Sequence, residues 1–297
     1  MDSLRRFGIL NIDKPAGITS RRAVDHVAKL VRPEKAGHAG TLDPLATGVL
    51  VVCVGKATRL IELVQEQSKS YHATFLLGRQ SDTDDVTGTV TEVPVAREIT
   101  REEIASRLPA FVGCIEQVPP SFSAVHVDGR RAHERARAGQ SVELAPRTVE
   151  VFRLEITRFA YPEIELDIDS GSGTYVRSIG RDLGHTLGCG AVMSALVRTR
   201  VGPYRIEDAV GLDQLTAQTL DAALLDPMTA AAKLPKRIAN SEEITLVQAG
   251  RAIAIGDLVK AGKGDCVVIV DGAGVLLSLA RLDAGTGRLL PYRVFVD

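Results

Sequence analysis

Asp43 is the residue whose surroundings most constrain where its side chain points. It sits in Gly37-His38-Ala39-Gly40-Thr41-Leu42-Asp43-Pro44-Leu45-Ala46-Thr47-Gly48. Three glycines there open backbone angles closed to other residues, and Pro44 biases Asp43 away from helix. Backbone, rather than a flexible stem, therefore aims the carboxylate. The run Val49-Leu50-Val51-Val52-Cys53-Val54 reads as a buried strand anchoring one end of the loop. A carboxylate held this way at a strand's mouth is equipped for nucleophilic attack or for stabilising positive charge at carbon. Residue types alone leave a second reading level with this one, an ordinary Asp-Pro turn closed by glycines.

Three other side chains bring chemistry. Arg177, in Gly173-Thr174-Tyr175-Val176-Arg177, carries a guanidinium that stays protonated and can pair with a carboxylate at two points. Taken singly, Arg177 reads as a surface helix charge, Tyr71 as a core aromatic of a strand, and His38 as a turn-stabilising histidine. No Cys/His cluster has zinc spacing. The segment Gly48 to Gly55-Lys56 fails the nucleotide-cradle pattern, since six residues part its glycines and Ala57 follows the lysine.

Taken together, the motifs do more. Gly37 to Gly48 resembles the catalytic motif of the TruB family, the tRNA pseudouridine-55 synthases, in which the Asp of G-H-x-G-T-L-D-P is the catalytic carboxylate. Gly8-Ile9-Leu10-Asn11-Ile12-Asp13-Lys14-Pro15-Ala16-Gly17 is similar to the family's opening segment, and Lys69-Ser70-Tyr71-His72-Ala73 to its second motif. Ser81-Asp82-Thr83-Asp84-Asp85 is similar to the acidic loop after it, and Gly171 to Ile179 to the third motif. The resemblance implies Asp43, Tyr71 and Arg177 as catalytic, with His38, Tyr71, Tyr175 and Leu196 binding substrate. It implies isomerisation of uridine-55 in the T-loop of tRNA, by base flipping and glycosidic bond cleavage followed by C5 reattachment. Nothing is gained or lost in that reaction, so no cofactor and no metal are expected. Three departures from the family pattern, Phe122-Ser123-Ala124-Val125-His126, His133 and Val197, touch the segment expected to grip RNA. A guide-RNA-dependent relative and a purely RNA-binding or RNA-folding protein are the rival functions.

The elements that must position these residues read as α+β. Strand patterns at Val149 to Leu154 and Ile164 to Ile168 alternate apolar with polar, which favours a mixed, largely antiparallel sheet. Thr19 or Ser20 caps one helix, and Thr100-Arg101-Glu102-Glu103 is a capping box opening another. The Pro-bounded, Arg-rich stretch 118–147 reads as an insertion with a helix over Arg130 to Ala138, in which Arg130, Arg131, Arg135 and Arg137 would face RNA phosphates. A catalytic domain over 1–237 is expected, followed over 238–297 by a compact all-β tail. The resemblance makes that tail a PUA-like RNA-binding domain.

Composition limits the alternatives. With 297 residues and 45% hydrophobic content the chain can build one large core and a small second domain. No apolar run is long enough to cross a bilayer and no signal-peptide core follows Met1 to Arg6. A cytosolic monomer without a membrane or protein partner is expected, with tRNA, through its T-arm, as the partner. The four cysteines lie far apart, as packed free thiols do. Net charge is −1, but residues 1–60 carry ten Lys/Arg against five Asp/Glu, and residues 171–205 five against one. Basicity thus gathers near the candidate site, where phosphate contact would need it.

Overall fold

The strand Gly8–Lys14 buries every residue except Asp13, and its neighbour Thr47–Val54 buries seven of eight. The computed structural model describes residues 6–95, 97, 99–122, 126–127, 130–131, 144–256, 266–283 and 285–296. Alternation sends Leu50, Val52 and Val54 toward Ala23, Val24 and Val27 of the helix Ser20–Leu30. It sends Val49, Val51 and Cys53 to the opposite face. A strand covered on both faces has to be apolar at every step, which explains the unbroken run 49–54. The helix begins where Thr19 accepts a hydrogen bond from the Arg22 N–H at 3.1 Å.

Neighbour by neighbour, the large sheet runs Val210–Gly211, Gly8–Lys14, Thr47–Val54, Ala191–Val201, Lys69–Leu77, Glu163–Ser170, Arg147–Ala160, Gly113–Gln117. Pairing is antiparallel along this path except at two short places, Gly8–Lys14 beside Val210–Gly211 and Thr47–Val54 beside Ala191–Val201. The second joins the two halves of the sheet. On the Lys69–Leu77 half, Phe75, Leu77, Leu166 and Ile168 pack beneath Ile179 and Leu183 of the helix Val176–Thr186. The class is α+β with a mixed, largely antiparallel sheet. The capping box at Thr100 and Glu103 is formed and opens the helix Arg101–Arg107.

The tail is a five-stranded sheet of Lys236–Ile238, Cys266–Val270, Leu276–Asp283, Arg288–Val294 and Ile253–Ala254. The helix Ser241–Gln248 packs on one face, against Val267, Ile269 and Leu277. The other face does not meet solvent. Val268, Val270, Leu276, Leu279 and Phe295 join Ile9, Val49, Val51 and Cys53 in one apolar cluster, and Phe295 stacks on Phe7 with ring centroids 5.8 Å apart. The four cysteines are free, Cys53 and Cys189 buried and Cys114 exposed. No described helix is long and apolar enough to cross a membrane.

One expectation is corrected. Arg130–Arg131, placed in a helix by the sequence reading, is a strand paired antiparallel with His126–Val127. Asp128-Gly129 between them has the composition of a two-residue hairpin turn, a signal that outweighs the helical pattern. Arg135 and Arg137 lie outside the described residues.

Candidate active site

The loop carrying Asp43 is held from three sides. Ser20, buried at the start of its helix, donates to the Leu42 carbonyl at 3.0 Å and accepts from the Leu42 N–H at 2.8 Å. The Asp43 carbonyl accepts from the Ala46 N–H at 3.1 Å, and the Pro44 carbonyl from the Gly17 N–H at 2.8 Å. Asp43-Pro44 is therefore a hydrogen-bonded turn and also the mount of an aimed carboxylate, so the two sequence readings hold together. Beneath the loop, Arg198 donates to the carbonyls of Val49 at 2.7 Å, Gly40 at 3.1 Å and Thr41 at 3.4 Å.

Arg177, second residue of the helix Val176–Thr186, reaches Asp43 at two points. Its Nε lies 3.0 Å from Oδ2 and its Nη2 donates to Oδ1 at 3.4 Å. The guanidinium also donates to the carbonyls of Thr83 at 2.8 Å and Phe122 at 3.1 Å. Its side chain is 6% exposed against 35% for Asp43, so the pair has a buried cation behind and an accessible carboxylate in front. Burial pushes the Asp43 carboxyl above its ordinary value. Arg177 and, more weakly, Lys14 pull it back, while Asp85 adds to the rise. Lys14 is itself buried, donates to the carbonyls of Pro15 and Ile18, and is pushed down to about 8 by desolvation.

Asp85 stands on the other side of Arg177, with Oδ2 3.7 Å from Nη1. The acidic loop that carries it is fixed. Asp85 accepts from the Thr83 hydroxyl at 2.8 Å and the Thr87 N–H at 2.9 Å, and Asp84 pairs with Arg181 at 2.9 Å. Backbone bonds from Val86 to Met193 and from Met193 to Asp84 pin the loop to the strand Ala191–Val201. Arg177 thus sits between two carboxylates, of which Asp43 is the open one.

Tyr71 and Leu196 belong to the same neighbourhood. Leu196 clusters with Leu42 and Ala46 of the loop and with Ala73, and Tyr71 packs against that cluster. Tyr175 caps the helix that carries Arg177. Its backbone N–H and carbonyl are both bound by the Gln117 amide, at 2.8 and 3.1 Å, and Arg147 lies over its ring at 4.7 Å. His38 lies on Ala36–His38, paired with Val52. Burial, with Arg198 and Arg21 nearby, lowers its pKa, and its buried Nδ1 has no hydrogen-bond partner among the described residues. Arg130 and Arg131 form a strand paired with His126–Val127. Sequence offered Ser20 only as a helix-cap candidate and Asp85 only as part of the acidic loop, and gave no signal for Gln117 or Arg198. Among the described residues no group of three or more His, Cys, Asp and Glu side chains is arranged to hold a metal ion.

Comparison with known proteins gives this geometry a family. The model of the TruB family pseudouridylate synthase N-terminal domain matches residues 28–176, and that of the tRNA pseudouridylate synthase B C-terminal domain matches residues 177–233. The chain belongs to the TruB family. Relatives named tRNA pseudouridine synthase B include one from Thermobifida fusca, 41% identical over 97% of this chain and 98% of its own. Another, from Moorella thermoacetica, is 40% identical over 97% of this chain and 99% of its own. A solved H/ACA ribonucleoprotein bound to a substrate RNA containing 2′-deoxyuridine includes a chain that superposes with a TM-score of 0.75. That chain is 25% identical, over 98% of this chain and 86% of its own. This TruB chain is accordingly a pseudouridine synthase, and the pair Asp43–Arg177 spans the junction of its two family models.

Proposed function

We propose that this chain converts uridine-55 in the T-loop of tRNA to pseudouridine, with Asp43 as the catalytic carboxylate. The reaction breaks the N1–C1′ bond, turns the uracil and joins C5 to C1′, while the C5 proton leaves and N1 gains one. A carboxylate at the sugar stabilises positive charge at C1′ or bonds to it. The observation that carries the reading is the two-point contact of Arg177 on Asp43, which supports an ionised carboxylate in a site otherwise able to protonate it. Tyr71 receives the extruded base and serves proton transfer, Tyr175 and Leu196 line the base pocket, and His38 packs beside the flipped nucleotide. Arg130, Arg131, Arg135 and Arg137 hold phosphates. The residues before the strand Lys236–Ile238 form the catalytic domain, and the tail that this strand opens is a PUA-like domain that adds RNA contact.

The tRNA assignment draws on relatives about 40% identical that are named for it, against 25% for the ribonucleoprotein chain. It favours a cytosolic monomer that acts without a guide RNA. Incubating the purified protein with an unmodified tRNA transcript and mapping pseudouridine by position tests it. One new pseudouridine at position 55, with no guide added, is the expected result; none there, or one only with a guide RNA, refutes the reading. Asp43→Asn keeps the shape and removes the charge, so it is expected to bind tRNA while losing turnover by several orders of magnitude. Wild-type turnover after deamidation is excluded would remove Asp43 from the chemistry.

A further inference from the structure

Arg198 is buried, 2% exposed, and among the described residues no carboxylate pairs with it. A buried cation without an anion is costly unless its hydrogen bonds are met elsewhere. Here they are met by backbone. Its Nε, Nη1 and Nη2 each donate to a different carbonyl, those of Val49, Thr41 and Gly40. Two of these lead into the bend that presents Asp43, and the third lies in the first half of the strand after it. On the other side, Arg198 is the direct cross-strand partner of Tyr71. Burial pushes the guanidinium down, and Tyr71 beside it is the group that pulls it back.

The backbone of Arg198 is as tightly placed as its side chain. It pairs in parallel with Gly48, the last residue of the loop motif. Gly48 has φ +95°, and a Cβ built there would stand 2.3 Å from the Arg198 carbonyl oxygen, so only glycine admits the approach. The charges that act most on Asp43 are those of Arg177, Asp85 and Lys14, whereas Arg198 grips the backbone that leads to it.

We propose that Arg198 is a positioning residue, whose guanidinium fork fastens the loop carrying Asp43 to the strand Ala191–Val201, itself paired with the strand carrying Tyr71, and so fixes the relative pose of the two. The inference rests on the roles given to Asp43 and Tyr71 above. An ammonium cannot replace the fork, because three donors in fixed in-plane directions meet three separate carbonyls.

Arg198→Met and Arg198→Lys, compared with wild type on an unmodified tRNA transcript, test it. Pseudouridine formation by wild type is the control for the function itself, and its absence would sink the function before Arg198 is judged. Both variants are expected to bind tRNA with wild-type stoichiometry and KM while kcat falls about 100-fold, the scale of a misplaced reacting group. Methylguanidinium added to folded Arg198→Ala is expected to restore part of kcat, a response that loss of stability alone does not give. Where Arg198→Met does not fold, Arg198→Lys, which keeps charge and most of the volume, carries the test. Wild-type kcat in a folded Met or Lys variant, a change confined to KM, or no rescue of a folded Arg198→Ala would each return Arg198 to simple packing.

Discussion

Burial raises the Asp43 carboxyl and Arg177 lowers it, with burial the stronger. A carboxyl raised in the folded state holds its proton more tightly than in the unfolded chain. Stability therefore falls as pH rises through the window just above the ordinary carboxylate range, while the ionised fraction that chemistry needs grows. The acid limb of kcat is expected above the range of a free carboxylate, and Arg177→Met, which removes the main opposing charge, should move it further up. A pH–rate profile of both proteins checks this; an unmoved limb would mean that Arg177 does not govern the ionisation. Sequence showed Asp43 and Arg177 through short motifs with fixed spacing. Asp85 showed only as one member of the acidic loop, and Arg198 in no motif, because each gets its meaning from a partner far along the chain. Arg198 meets Val49 across 149 positions, and within its own strand it is one charge among alternating residues.

At the level of elements, the join between Thr47–Val54 and Ala191–Val201 is two residues long and depends on Gly48. Gly48→Ala meets both a left-handed φ and a backbone oxygen, so it should cost more than about 1 kcal/mol in unfolding free energy and lower kcat as well. Chemical denaturation checks the first and turnover the second. The hairpin at 126–131 yields a different expectation for the insertion. Neutralising Arg135 and Arg137 should weaken tRNA binding and flatten its dependence on salt by about one unit of slope per lost phosphate contact. An unchanged slope would make them plain surface charges. The run 49–54 and the Thr100 capping box were legible because each is a local pattern. The Arg130 strand was not, since Asp128-Gly129 and a basic helical periodicity compete over the same few residues.

Over the whole molecule, the tail and the catalytic strands cannot be separated cleanly, because Phe295 and Val268 complete the cover over Val49, Val51 and Cys53. Phe295→Ala, at a side chain 3% exposed, should therefore destabilise the protein by about 3 kcal/mol in the same transition that melts the catalytic domain. Two separate transitions in calorimetry, with only one displaced, would contradict that coupling. Turn composition made a β tail legible. Its docking face was hidden, because Val268 and Val270 look no different in sequence from Val267 and Ile269, which face the other way.

The same pairing scheme also sets a timetable for synthesis. Gly8–Lys14 leaves the ribosome with the sequence of its antiparallel neighbour following closely, but its parallel partner Val210–Gly211 is made some two hundred residues later. Arg177 follows Asp43 by 134 positions, and Phe295 follows Val49 by 246. A nascent chain consequently carries its apolar run 49–54 without full cover until Phe295 has been made, a long exposure for a β-rich protein. Translation speed and chaperone supply therefore bear on how much of this chain reaches the fold, apart from anything the finished site does.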